Sequence, residues 1–349
     1  MASKKTEATE LALAFGLLGI EDPEDVKSQQ LEILFEGTLT PEKYFDFIDS
    51  YEHTYNQICG RMISVGLQVR NSHPYVKNYS SLKWIGEQQL YITTSLSKDL
   101  QIGPIAVSAK ASSDVVANLS PYNLLIALPS GQTTSSKSQN WFLSVAENEL
   151  QSLYEKYQQF CFPDQPNNVE SFFNQTTQDE RKNLVRKANL LDEEKSRALT
   201  YSYLRLCHKT ASQSASLFNQ NLNAAIRTNR ARGVKIGIIK TFFRLNTSPY
   251  ILAGVDRGAD IALNIPDSNS WNKTWEFISV EAYPDTNAGQ AIVKFLAKIR
   301  NREMKTNHEF HFHAEIRWSH GKLCGNPEGK LYKDFDWVEL PFIENLLST

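Results

Sequence analysis

From His308 to Trp318 polar and apolar residues alternate without a break. Phe310, Phe312, Ala314, Ile316 and Trp318 share one parity, and His311, His313, Glu315 and Arg317 share the other. Successive side chains of a strand point to opposite faces, so the run reads as one strand with a buried face and a polar face. Such a strand needs neighbours in a sheet and an apolar layer against one side. Runs at 234–243, 250–255, 260–265, 275–283 and 291–299 supply the neighbours, which predicts a β-rich domain over 234–349.

The residues before 234 follow a different pattern. Tyr44, Phe45, Ile48, Tyr51, Tyr55, Ile58, Cys59 and Met62 fall at helical spacing, and Thr40-Pro41 makes a helix start, so one helix is expected over 41–63. Short strand-like runs follow at 89–94, 100–102, 105–108 and 124–128, with Gly103-Pro104 as the turn between the second and third. Residues 130–139 are a polar loop. The segments 141–161, 177–191 and 193–232 read as helices, the last stopped by Gly233. The chain therefore reads as α+β, with an α/β core over 1–165, a helical basic segment over 166–233 and the β-rich domain over 234–349.

Composition narrows the function. At 349 residues, 41% hydrophobic and 22% charged, the chain has the make-up of a folded protein of about two domains. The apolar stretch 11–20 contains Gly16 and Gly19 and is half of what a membrane-crossing helix needs. Lys4 and Lys5 are followed by Glu7 and Glu10, with no small-residue cleavage site before Glu21, so no secretion signal and no membrane partner are expected. Cys59, Cys161, Cys207 and Cys324 are scattered and form no CxxC pair, which fits reduced thiols in the cytoplasm. There is no GxSxG, HExxH or Rossmann glycine pattern.

Net charge is −2, but it is laid down in blocks. Residues 1–60 carry twelve acidic and four basic side chains, whereas the 61 residues from 195 to 255 carry ten Lys or Arg and no acid. One-sign selection over that length suits either a surface facing phosphates or a complement to the acidic opening. Read as a DNA surface, it offers Arg227, Arg230, Arg232, Lys235, Lys240 and Arg244, with Arg227 and Arg230 at i, i+3 on one helix face. The polar row His311, His313 and Arg317, followed by Lys322, adds a second candidate contact surface for phosphates and base edges.

The residues fit for chemistry lie between Glu52 and Lys110. Glu52 falls on the apolar stripe of its helix, where a carboxylate needs a cation or strong donors. Asp99 opens a short strand, and the strand returning after Gly103-Pro104 carries Ser108 and Lys110 on one face. Two carboxylates and a lysine on one patch suit metal-assisted phosphodiester hydrolysis, the acids holding a divalent ion and the lysine steadying water or developing charge.

At these residues the sequence resembles the PD-(D/E)xK nuclease superfamily, which includes most type II restriction endonucleases. Asp99 matches the first acid, Lys110 the lysine, and Glu52 the acid often supplied by the preceding helix. Ser108 stands where the family has a carboxylate, so Glu52, Glu147 or Glu149 would complete the site, or the site binds DNA without cutting it. The resemblance covers residues 42–150. It implies a restriction-endonuclease-like mixed sheet flanked by helices, a Mg²⁺ ion held by Asp99 and Glu52, and a homodimer cutting both strands of duplex DNA. The alternatives are a catalytically inactive DNA-binding protein on a degenerate nuclease fold, and an interaction protein whose acidic head meets its own basic middle.

Overall fold

The computed structural model describes residues 4–86, 98–111, 114–132 and 140–347. The strand expected at 89–94 and most of the polar loop at 130–139 lie outside them. In chain order, helices α1 (Lys4–Leu18), α2 (Ser28–Leu34), α3 (Pro41–Asp49) and α4 (Asn56–Ser72) precede strands β1 (Lys83–Trp84), β2 (Leu100–Ile102), β3 (Ile105–Ala111) and β4 (Val115–Leu119). Helices α5 (Leu128–Ser130), α6 (Trp141–Cys161), α7 (Val169–Gln175), α8 (Gln178–Arg186), α9 (Glu193–Ile226) and α10 (Ala231–Phe242) follow. The chain ends with β5 (Tyr250–Asp256), β6 (Ala259–Ile265), α11 (Ser268–Thr274), β7 (Trp275–Asp285), β8 (Ala291–Asn301), β9 (Asn307–Trp318), β10 (Pro327–Lys333) and β11 (Glu344–Asn345). The class is α+β, as expected. No described helix is long and apolar enough to cross a membrane.

The consecutive division at 165 and 233 gives way to two interleaved units. The first comprises residues 1–114, 244–274 and 336–349, and the second residues 115–243 and 275–335. The basic helical segment is thus part of the second unit.

In the first unit a mixed sheet runs in the order β1-β2-β3-β5-β6-β11, with β3 and β5 parallel and every other pair antiparallel. Parity along β3 and β5 decides its two faces. Val107, Ile251, Ala253 and Val255 join one apolar cluster with Phe15, Phe47, Met62 and Val65 from the helices. Ser108 and Lys110 have the opposite parity. Helix α1 is buried all round from Ala8 to Leu18, as an apolar helix at the centre of a core should be. It crosses α4 at two glycines: a Cβ on Gly16 would lie 2.2 Å from the Ile63 carbonyl oxygen, and one on Gly66 2.6 Å from that of Leu13. Only hydrogen fits there.

In the second unit five antiparallel strands run in the order β4-β10-β9-β8-β7. The alternation over 308–318 holds residue by residue. Phe310, Phe312, Ala314, Ile316 and Trp318 are buried, and the intervening side chains are partly or fully exposed. Helices α9 and α10 supply the apolar layer: Phe218 meets Phe295 edge-on at 5.1 Å, and Phe242 meets Phe295 at 5.2 Å and Phe312 at 5.0 Å. Helix α9 is also tied down by polar bonds. Asn219 bonds the Ala282 backbone in both directions, and Trp141 of α6 donates its Nε1–H to Ser214.

Several local expectations fail. Residues 124–128 form a wide, π-helical turn and the start of α5 rather than a strand. The run 234–243 is not a strand either. It belongs to α10, where Val234, Ile238, Ile239 and Phe242 are buried on one stripe, and Gly233 sits in its first turn instead of ending α9. The helix expected over 41–63 breaks into α3 and α4 across a π-helical turn at Ser50–Thr54, closed by Tyr55 N–H donating to the Ser50 carbonyl at 2.8 Å. The extra residue in that turn shifts the helical phase.

Candidate functional site

The hairpin of β2 and β3 brings Asp99 and Ser108 together. Leu100 pairs with Val107, and the Asp99 N–H continues the ladder by donating to the Val107 carbonyl at 3.1 Å. Asp99 thereby lies opposite Ser108, and its Oδ2 accepts from the Ser108 hydroxyl at 3.2 Å and from the Ala109 N–H at 2.7 Å. Lys110, two residues further along β3, is buried and acts electrostatically on the same carboxyl. Burial raises the Asp99 pKa above the ordinary carboxylate value, while the Ala109 N–H, the charge of Arg244, the Ser108 hydroxyl and the charge of Lys110 pull the other way.

Arg244 is the unexpected member. Expected among surface cations, it is only 5% exposed and donates from Nη2 to the Ser108 hydroxyl oxygen at 3.3 Å. Its φ of +54° lies in the left-handed region, and the Tyr250 hydroxyl holds it there by donating to its carbonyl at 3.1 Å. Among the described residues its Nε has no hydrogen-bond partner. A narrow crevice lined by Lys98, Ser108, Asn246, Ser248 and Tyr250 opens beside this group.

Glu52 is placed elsewhere. It is exposed, within the π-helical turn, and meets His53 at 3.6 Å. It lines an open acidic cleft with Glu24, Asp25, Lys27, Tyr44 and Ile48, and burial together with the Glu52 charge raises the pKa of Glu24. The shift in helical phase interrupts the apolar stripe, so the expected burial of Glu52 is corrected: the side chain is exposed and is not among the groups that act on Asp99. The charged groups that act on Asp99 are Arg244 and Lys110.

No group of three or more His, Cys, Asp or Glu among the described residues is arranged to hold a metal ion. Magnesium needs less than this, because it keeps several waters and is commonly bound by one or two carboxylates plus substrate phosphate. Both hydrogen bonds to Asp99 fall on Oδ2, so among the described residues Oδ1 remains for a cation. The donor set meets the lower limit for magnesium, with one carboxylate from the protein.

The remaining cations separate into two kinds. Arg227, Arg230, Arg232 and Lys235 are exposed at the corner between α9 and α10, and among the described residues none has an ion-pair partner. Arg227 and Arg230 flank the turn between the two helices, not one helix face, and Lys235 is on α10 rather than a strand. Lys240 is half-buried on the same helix. At the other end of the basic window Lys195 and Arg197 pair with Asp192 and Glu193, just outside it or at its edge.

The polar face of the second unit's sheet is largely neutralised. His313 pairs with Asp334 at 2.6 Å and stacks on Tyr332. Arg317 pairs with Glu315, Lys294 with Asp285 and Lys298 with Glu309. His311 is exposed and lies 3.4 Å from the Tyr283 hydroxyl. Lys322 packs over the Tyr203 ring at 4.0 Å, and burial lowers its pKa. A charge already paired releases few counterions on meeting DNA, so this face is a weaker candidate than the α9–α10 corner.

Comparison with family models, curated proteins and solved structures finds no match for the chain.

Proposed function

We propose that the protein is a magnesium-dependent endonuclease acting on duplex DNA, with Asp99, Ser108 and Lys110 as its reaction centre. The observation that carries this reading is the register of the β2–β3 hairpin. It sets an acid opposite the residue two before a lysine, on a strand that then pairs in parallel with β5. A helix followed by a hairpin, with the acid on one strand and the lysine on the next, is the order that the PD-(D/E)xK resemblance implies. Asp99 would hold the ion jointly with a DNA phosphate, and the bound ion would supply Lewis-acid stabilisation of the developing phosphorane charge. Lys110 would orient the attacking water or steady that charge. The cations of the α9–α10 corner would grip the duplex backbone, and two copies of the chain would serve the two strands.

A second reading rests on the missing carboxylate at Ser108. With Arg244 and Lys110 both acting on the single acid, the centre would bind a DNA phosphate without cutting it.

Plasmid DNA incubated with the protein in Mg²⁺ or in EDTA separates the two. Discrete fragments in Mg²⁺ alone, abolished by Asp99→Ala and retained by Glu52→Gln, support the nuclease. Binding without fragments under any divalent ion leaves the second reading. Loss of cleavage in Glu52→Gln would return Glu52 to the site.

A further inference from the structure

We infer that Arg244 contacts a phosphodiester oxygen of the bound DNA and supplies the positive charge for which a second carboxylate-held cation would otherwise be needed. This rests on the nuclease reading for its catalytic part, but not for the contact itself.

Three independent features single the residue out. First, Arg244 is 5% exposed, and a buried guanidinium is costly unless its donors are engaged. Its Nε and Nη2 donate along one edge of the planar group, in the fork that matches two oxygens of a phosphate. Nη2 reaches the Ser108 hydroxyl oxygen only at 3.3 Å, and Nε has no partner among the described residues. The Tyr250 hydroxyl also lies against the guanidinium, so Nε is the donor of this buried cation left without a partner among the described residues. Second, a non-glycine residue at φ +54° is strained and persists only where its surroundings over-determine it. The Tyr250 hydroxyl on the Arg244 carbonyl provides that constraint. Third, a narrow crevice lined by Lys98, Ser108, Asn246, Ser248 and Tyr250 lies against both side chains that hold Arg244.

Position supplies the role. Ser108 accepts from Arg244 and donates to Asp99, so the three form one chain: guanidinium, hydroxyl, carboxylate. Where the resemblance implies an acid that would help hold cations, this chain has a hydroxyl attached to a fixed cation. A phosphate oxygen taken by the Nε–Nη2 edge would sit beside Asp99 and gain charge stabilisation as negative charge builds during attack.

The test uses the full-length protein with Arg244→Met, which keeps a long stem without charge, and Arg244→Lys, which keeps charge without the fork. Two readouts are taken: the single-turnover cleavage rate in Mg²⁺, and the salt dependence of affinity for a short duplex in EDTA. Thermal melts check that each variant is folded. The expected results are a cleavage rate lower by about 10²–10³ in both variants, and a log–log salt slope shallower by about 0.9 in Arg244→Met alone. If the wild type cuts and Arg244→Met cuts at the same rate with the same slope, the inference falls and the nuclease reading stands. If the wild type does not cut but Arg244→Met flattens the slope, the phosphate contact stands and the nuclease reading falls. If neither variant changes the slope and the wild type does not cut, both fall.

Discussion

The exposed corner between α9 and α10 gives the sharpest quantitative test of DNA binding. Arg227 and Arg230 are exposed on either side of the turn that joins the helices, and neither has an ion-pair partner among the described residues. Each is therefore free to take one phosphate and release the counterion condensed on it. For duplex DNA each such contact adds about 0.9 to the log–log salt slope, so replacing both with Ala should flatten the slope by about 1.8. Between 50 and 200 mM salt, a fourfold change, the gap in Kd between wild type and variant should shrink by about twelvefold. Stability should change by less than about 0.5 kcal/mol, because neither side chain is buried or engaged. The assay is fluorescence anisotropy on a short duplex in EDTA across that salt range, repeated on unrelated sequences, since phosphate contacts carry no base information. Arg317→Ala is the control: its guanidinium is already 3.3 Å from Glu315, so its loss should leave the slope nearly unchanged. An unchanged slope in the double variant, or equal flattening by Arg317→Ala, would refute the reasoning.

Two further predictions concern the first unit. Burial raises the folded-state pKa of Asp99 above the ordinary carboxylate value, so stability linked to its proton is present at low pH and lost as pH rises through the folded value. Asp99→Asn should melt above wild type at pH 7 in EDTA and lose that advantage as pH falls toward 4; a variant less stable at pH 7 would contradict this. Gly16→Ala should cost about 1–3 kcal/mol in urea unfolding through overpacking against α4, whereas Gly60→Ala, with nothing within 4 Å of the added carbon, should stabilise by about 0.5–1 kcal/mol; equal effects at the two sites would refute the close helix crossing.

Strict periodicity was legible in the sequence, and competition between signals was not. The alternation at 308–318 and the apolar spacing of 141–161 appear as β9 and α6, the latter with a kink at the non-helical Ala146. The run 234–243 is rich in Val and Ile, which favour strands, but Val234, Ile238 and Phe242 also recur every four residues, and packing on Phe295 and Phe312 decides for the helix. Strands β4 and β10 were missed, β10 because Pro327 and Gly329 read as turn residues. At the site, the proximity of Asp99 and Ser108 followed from a tight turn, which is local information. The exposure of Glu52 depends on one extra residue in a helical turn, a local change that apolar spacing does not reveal, and the burial of Arg244 depends on a loop folding back to a strand far away in sequence.

The parallel ladder between β3 and β5 also constrains how the chain is made. Ala106 pairs with Tyr250, and almost everything between the two strands belongs to the other unit. A nascent chain that has not yet delivered β5 leaves β3 with an open hydrogen-bonding edge, the kind of surface that recruits strands from other molecules. Closing so long a loop costs conformational entropy that grows with the logarithm of its length, and order gained within the intervening residues shortens the loop to be closed. The second unit has its own late requirement, since β9 and β10 are made after β5 and β6. Each unit therefore waits on strands translated after most of the other, and a chain cut short anywhere before β10 contains no finished sheet.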